Sequence, residues 1–570
     1  MLVIIFFPAT IYGQNNQNQG YDGLRPSEKS LTLPELPRSG SEPTITAPFP
    51  SSPPVESSEK QTIKAPEKQI RIELESIVFE GNTVFQDKEL NTLVKPYLNT
   101  PVSIDELEEL RRLITQHYIG AGYVTSGATF PPNPLRGKAL HIKIIEGKVD
   151  EIRIKGEKRL RQSYIANRLI PDDGKPVNMN DVQDRFRLLL TDPLFDRLNG
   201  RLLPGSDRGL SILDVEVTRS RPYQFSVLSD NYRAPSVGAI ALGANTWVRN
   251  LTGQGDMLDF TFMTSAPSGG EAYQYSGNWQ LPLGDYGTQF YFSFNKANVS
   301  ITEEPLVNLD IKSDTFSVEG GLNQTIINSL QRRLTFGAGL AFKDNETTLL
   351  GQPFSFVPGL LNGKNQISVV RINQEYIERW EKFVLALRST FSIGQDIFGS
   401  TIQKNHLNPD SDYFAWLGQM RGLWSLSAIR SDLVIKGTIQ VSDDPLLPLE
   451  RIAVGGRHTV RGYRENQLVR DNGYASSVEL HIHLLGSNQS KYRFDLVPFF
   501  DHGAAWNNND STPTKQTTAH LYSAGIGFQF RADRFSGEFF WAHHLAHDTI
   551  RQNNDLQDHG IHFQARIDTF

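Results

Sequence analysis

The chain has 570 residues, too many for one ordinary domain of roughly 150 residues unless a large β-barrel absorbs much of the length. A net charge of −6 argues against a nucleic-acid partner, which would want a basic face. With no cysteine, disulfide staples, thiolate zinc sites and cysteine nucleophiles are excluded.

In chain order, Met1 to Phe7 ("MLVIIFF") followed by "PATIYGQ" reads as an apolar signal-peptide core with a small-residue exit near Gly13. It lacks a basic leading segment, as a clipped or misassigned start would, and residues 1–13 are assigned to a signal peptide. No later run of about 18 apolar residues occurs, so no membrane-spanning helix is predicted. A membrane protein with this sequence must therefore be a barrel. Residues 14–71 are polar and proline-rich, cannot bury enough apolar surface to order themselves, and read as an extended linker.

An internal repeat follows. Gly81-Asn82 precedes Pro101-Val102-Ser103 by twenty residues, and Gly156 precedes Pro176-Val177-Asn178 by the same interval, so the anchors are offset by 75. Leu107, Leu110, Leu113 and Ile114 fall at helical spacing, and Val182, Leu188 and Leu189 occupy three of these positions in the second copy. Ser103 and Asn178 suit helix N-caps. Two β-α-α-β-β modules are predicted, at 72–148 and 149–219.

From residue 220 to 570 the period changes to two. Phe290, Phe292 and Phe294 share one strand face, as do Leu433, Ile435, Gly437, Ile439 and Val441. Polar Asn/Asp/Gly/Ser loops separate these segments, and aromatics cluster near their ends, the pattern of an outer-membrane barrel with apolar-out, polar-in strands. The 351 residues divide into sixteen units of about 22, enough for membrane strands of roughly 10 residues and their connections. A soluble sandwich or propeller would need several domains, and no blade repeat is visible.

Within that region "VGGRHTVRGYRENQ" (Val454 to Gln467) is more than a turn needs, with Arg461 between Val460 and Gly462 and Tyr463 beside them. Glycine permits positive φ or close backbone approach, and tyrosine supplies a rigid surface with one polar end. In "PFFDHGAAW", Asp501 among apolar neighbours would be costly facing lipid, so it should face the lumen and find a cation.

These residues carry a resemblance. "FEGNTVFQDKELNTLV" with "LEELRRLITQHYIGAGYVTSGATFPP", "VLSDNYRAPSVGAIALGANTWVRNLTGQGDML", "VGGRHTVRGY" and "FDLVPFFDHGAAW" occur in an order similar to the two-partner secretion outer-membrane transporters of the hemolysin and filamentous-haemagglutinin secretion type (TpsB type), in the POTRA-barrel superfamily. The likeness covers about 70–570. It implies a mainly β fold: a 16-stranded antiparallel transmembrane β-barrel at 220–570 preceded by two α+β POTRA domains. It also implies that the periplasmic POTRA domains capture an unfolded exoprotein and the barrel exports it.

In that family the Val-Arg-Gly-Tyr motif, here Val460-Arg461-Gly462-Tyr463, lies at the tip of a long loop folded into the lumen. Its arginine contacts an acidic residue beside a Phe-x-x-Gly wall motif, here Phe500-Asp501-His502-Gly503. Implied partners are a large β-helical adhesin or hemolysin, outer-membrane lipid and the barrel-assembly machinery, with the transporter a monomer. A barrel-assembly insertase, which usually carries more POTRA repeats, and a passive porin, which needs none, are the alternatives.

Two features depart from the family. "NNQNQGYDGLRPSEK" shows no helical apolar stripe for the plug helix many relatives carry, leaving 14–71 as linker or a degenerate plug. The last strand ends in Phe570, the expected assembly signal, yet Ile561, Phe563, Ala565 and Ile567 are out of phase with it, which calls for a bulge or break near Asp568.

No enzyme chemistry is predicted. "GLLNGKN" lacks the spacing of a phosphate loop. His481 and His483 share a strand face without a third ligand, so a polar lumen face is read rather than a metal site. No nucleophile elbow occurs, and no cofactor is expected.

Overall fold

The 75-residue offset corresponds to two copies of one motif in the computed structural model, which describes residues 44–46, 71–171, 174–266, 272–360, 362–405, 407–486, 490–508, 518–545 and 555–569. The expected signal segment, most of the linker and Phe570 lie outside these residues. The first copy runs β1 (Ser76–Glu80), α1 (Asp87–Val94), α2 (Ile104–Gly120), β2 (Gly127–Thr129) and β3 (Ala139–Ile145). The second runs β4 (Lys148–Lys155), α3 (Gln162–Leu169), α4 (Met179–Leu189), β5 (Phe195–Pro204) and β6 (Leu210–Arg219). In each, the last strand is central, pairing in parallel with the first and antiparallel with the other.

The apolar stripes set the packing. Leu107, Leu110, Ile114 and Tyr118 of α2 are buried with Leu140 and Ile142 of β3, and Val182, Phe186 and Leu189 of α4 with Leu198 of β5 and Val215 of β6. Ser103 closes a capping box with Glu106, and the Asn178 side chain accepts from the Asn180 N–H, satisfying otherwise orphaned helix donors. Gly81 and Gly156 end β1 and β4 with φ of +89° and +88°; a Cβ at either would meet a backbone carbonyl, 2.7 Å from Ile144 O and 2.1 Å from Val217 O. Asn82 donates to Phe85 O and to Asp87, bracing the entry to α1.

Pro101 opens a short strand paired with Arg71–Glu73, and the residue after Pro176, Val177, donates to Gly147 O across the module junction. The linker is not uniformly unpaired: Thr44–Thr46 forms a strand parallel to β5. The outer edge of β5 offers unpaired backbone groups, which recruit any extended chain within reach; three residues give no periodic signal in sequence.

A second unit holds Arg221–Phe570. Its strands are β7 (Tyr223–Asp230), β8 (Ala241–Arg249), β9 (Met257–Ser265), β10 (Tyr273–Leu283), β11 (Thr288–Ser300), β12 (Lys312–Asn328), β13 (Arg332–Leu349), β14 (Lys364–Arg379), β15 (Phe383–Gln395), β16 (Phe414–Leu426), β17 (Ser431–Ser442), β18 (Asn472–Leu485), β19 (Tyr492–Trp506), β20 (Ala519–Ala532), β21 (Phe535–His544) and β22 (Ile561–Asp568). Each pairs antiparallel with its chain neighbours, and β22 returns to β7, so these sixteen strands close a barrel.

Alternation sorts the side chains as the period of two requires. On β17, Ile435, Ile439 and Val441 are exposed outward, while Val434 and Gln440 are buried inside. An apolar exterior and polar interior suit lipid outside and a polar lumen within. On β22, His562 and Arg566 are buried and Ile567 is exposed; the strand stops at Asp568 with no register shift in its pairing.

Candidate functional site: a loop buried in the barrel lumen

The connection from β17 to β18, residues 443–471, is the longest stretch between barrel strands whose residues are all described. It turns inward instead of outward because it carries its own small sheet and apolar residues. Ile452–Val454 pairs antiparallel with Leu468–Arg470, and Ile452, Val454, Val460, Tyr463 and Leu468 are buried with Ala475 of β18, Ala505 of β19 and Leu521 of β20.

Arg461 lies at the centre of the tip. Its Nε donates to Asp501 Oδ2 at 2.7 Å and its Nη2 to Asp501 Oδ1 at 2.7 Å, a bidentate pair, and its backbone N–H also donates to Oδ2. Nη2 donates in addition to Ser477, and Nη1 stands 2.9 Å from Glu479 Oε1, an ion pair without hydrogen-bond geometry. The Arg461 and Asp501 side chains are 2% and 0% exposed. The guanidinium lies 3.4 Å from the Phe499 ring centre and 5.0 Å from that of Phe540, adding cation–π attraction on its flat faces. Lysine has neither the fork nor the plane for this contact.

The other predicted positions fall into two groups. Val460 is fully buried, Gly462 has φ +92° with Ala542 against it, and the Tyr463 hydroxyl donates to Tyr522 O at 2.9 Å. At Gly503 a Cβ would stand 2.6 Å from Val454 and 2.8 Å from Val460, so glycine lets the loop lie on the wall. Phe500, by contrast, is 46% exposed and points out of the barrel. Strand alternation forces this: with Asp501 inward, Phe500 must face outward, and the ring beneath the arginine is Phe499.

Residues the sequence reading left out extend the contact. Arg457 donates from Nε and Nη2 to Glu538 of β21, at 3.0 and 2.8 Å, and Tyr232 also donates to Glu538 at 2.7 Å. Arg464 grips two carboxylates at once: Glu303 in the β11–β12 connection, at 2.8 Å from both Nη1 and Nη2, and Asp558 in the β21–β22 connection, at 2.5 Å from Nε and 2.7 Å from Nη2. Burial and Arg457 push His458 of the tip down to about 3, so it adds no charge to this cluster. The available signal was a lone acidic residue at an inward position of an otherwise regular strand, as at Glu479 and Glu538; its loop partner needs the fold. His481 lies 2.9 Å from Glu479, and His483 stands between Asp432 and Asp495, at 3.1 and 2.9 Å, so both rings are taken up by carboxylates of the inner wall.

The arrangement consists of opposite charges held at fixed positions on the loop and on the inner wall. What it can do is hold the loop against the inner wall of the barrel. A family model for haemolysin secretion/activation proteins (ShlB/FhaC/HecB) matches residues 209–530, and a model for the ShlB-type POTRA domain matches 72–147. The chain is 23% identical to the outer membrane transporter CdiB of Escherichia coli over 81% of its own length and 77% of that protein. It is 21% identical to the heme/hemopexin transporter protein HuxB of Haemophilus influenzae, covering 83% and 82%. Among solved structures, CdiB from Escherichia coli superposes with a TM-score of 0.69 at 20% identity, covering 97% of this chain and 96% of that one. BamA from Haemophilus ducreyi lacking POTRA domains 1–3 superposes with a TM-score of 0.52 at 13% identity, covering 87% of this chain.

Proposed function

Since this chain belongs to the haemolysin secretion/activation (ShlB/FhaC/HecB) family, outer-membrane transporters of two-partner secretion with periplasmic POTRA domains and a translocating barrel, we propose that its β17–β18 loop is the resting plug of the export pore, that export starts only from the docked loop, and that the Arg461–Asp501 pair holds it in place. The observation that carries this reading is a guanidinium at a loop tip, enclosed by Asp501 and Glu479 inside the barrel. Bidentate charge-assisted bonds of this kind are strong and geometrically specific. Removing one partner leaves an uncompensated buried charge, which costs about 3–5 kcal/mol.

Residues 72–148 and 149–219 act as two POTRA domains and 220–570 as the barrel, with a single exoprotein, a large β-helical adhesin or hemolysin, as cargo. The transporter works as a monomer placed by the barrel-assembly machinery and performs no bond chemistry. The cargo meets the POTRA sheet edges in extended form, main-chain bonds supplying affinity.

The test co-expresses the transporter with the large secreted protein encoded beside it. Arg461→Ala should remain a folded barrel, shown by heat-modifiable mobility, while export falls. Deletion of 72–148 should abolish export; normal export by either variant refutes the role given to that region.

A further inference from the structure

The tip is only one end of the plug. At the other end Leu446 and Leu447 are fully buried with Ile367 and Val369 of β14 and Ala341 of β13. Glu450 follows, 2% exposed. Its Oε1 lies 2.7 Å from Lys343 Nζ of β13, and Arg371 Nη2 of β14 donates to both its oxygens, at 2.9 and 3.1 Å. Lys343 also donates to Leu449 O, and Arg371 reaches Glu319 of β12 at 2.9 Å. Two cations thus converge on one carboxylate, with a third wall strand bracing them.

The position of this joint on the ring matters. From β14, which holds Glu450, to β21, which holds Arg457, is seven strands in one direction and nine in the other around a ring of sixteen. The two joints therefore stand on opposite walls. Only seven residues separate Glu450 from Arg457, a reach of at most about 25 Å at 3.3–3.6 Å per residue. Gln440 of β17 donates to the Glu450 carbonyl at 2.9 Å and Ile452 packs with Ala475 of β18 and Ala505 of β19, so the segment passes from the β13–β14 wall to the far wall within a few residues.

We propose that Glu450 is a positioning residue for export, clamping the base of the loop to the β13–β14 wall so that the plug is a strut fixed at both ends across the lumen. This rests on the plug reading above and adds its second support. With the tip held and the base freed, the loop lies along the β18–β21 wall and the β12–β16 side of the bore clears. Loss of one partner of such a buried pair shifts the docked-to-undocked balance by about a hundredfold to several thousandfold.

The experiment uses the full chain in planar lipid bilayers, with no partner added. Glu450→Gln and Arg371→Gln should each raise the resting conductance severalfold, and the double variant should conduct no more than the leakier single, because both break one joint. Heat-modifiable mobility reports that the barrel is folded. Because the chain has no cysteine, the pair Glu450→Cys with Arg371→Cys can be bridged by a reducible thiol crosslinker of matching reach. The bridge should return the leaky pair to the resting conductance of the wild type, and reduction should restore the leak.

Wild-type conductance in folded Glu450→Gln overturns the proposal, as does a leak that the bridge leaves unchanged or single effects that simply add. These results are independent of the export assay on Arg461→Ala. A wild-type-like Glu450→Gln beside a failing Arg461→Ala removes the strut and keeps the plug, whereas normal export by Arg461→Ala removes the plug reading itself.

Discussion

The two units of this chain place their charges in opposite ways. In the POTRA unit the cores are apolar, around Leu110 and Ile114 in one module and Phe186 and Leu189 in the other, and ion pairs such as Arg153–Glu151 lie outside, their side chains 48% and 50% exposed. In the barrel the apolar residues face out and the charges converge inside, with Arg461–Asp501 almost wholly enclosed. A module in water is stabilised by hiding apolar surface, whereas a barrel in lipid has spent its apolar residues on the outside. What remains to hold a loop in its lumen is charge, supported by small apolar patches such as Val454, Val460 and Leu521. Enclosed pairs are strong but intolerant of losing one member.

The contrast can be broken at graded depths. The largest effect belongs to the lumen: Arg461→Ala strands Asp501, while Glu479 keeps Lys436 at 2.9 Å, and should weaken docking of the loop by about 3–5 kcal/mol, read as protease cleavage within 455–467 in a barrel that remains folded. Next comes the module core, where Leu110→Ala should cost about 2–5 kcal/mol according to how far the site collapses, read as a lower urea midpoint for the POTRA signal with the barrel unchanged.

Smaller is Glu146, whose carboxylate accepts from Thr83 N, Val84 N and Tyr118 OH at 2.7, 2.9 and 3.0 Å and also from the Thr83 hydroxyl. Burial raises its pKa, but these donors outweigh burial and hold it below the ordinary carboxylate range. A depressed folded value means stabilisation that is complete above the unfolded pKa of about 4.3 and fades as pH falls through the folded value. Glu146→Gln should therefore cost about 1 kcal/mol at pH 7, with the gap to wild type closing as the pH is lowered below 4. The smallest effect is Arg153→Ala, where the solvent-screened pair with Glu151 should leave the urea midpoint of the module nearly unchanged, and wholly unchanged in high salt.

How much of this was legible in the sequence follows the same division. The modules could be read because one period specifies each element: Leu107, Leu110 and Ile114 mark a helix face, and Gly81 and Gly156 mark equivalent strand ends. The barrel could be read from alternation, as in Leu433 to Val441. Arg461 and Asp501 were visible because each is out of character locally, an arginine in a glycine turn and an acid among aromatics. The remaining contacts were hidden because nothing local distinguishes them. Glu450 looks like any acid after a proline, and its partners Lys343 and Arg371 lie 107 and 79 residues earlier, on strands whose register decides which side chains meet. Phe500 was grouped with Asp501 and Gly503, and Phe499 was overlooked, for a related reason: a motif read as a unit ignores that consecutive strand residues face opposite ways. The Thr44–Thr46 pairing with β5 depends on backbone alone, which sequence pattern does not record.

The most direct measurement is a double-mutant cycle on the buried pair: export by Arg461→Ala, Asp501→Asn and the double variant, at matched amounts of folded barrel in the outer membrane. A loop held by this pair predicts that each single variant loses export and that the double variant is no worse than the weaker single, because the two residues form one joint. Normal export by Arg461→Ala, or losses that add independently in the double variant, would contradict it.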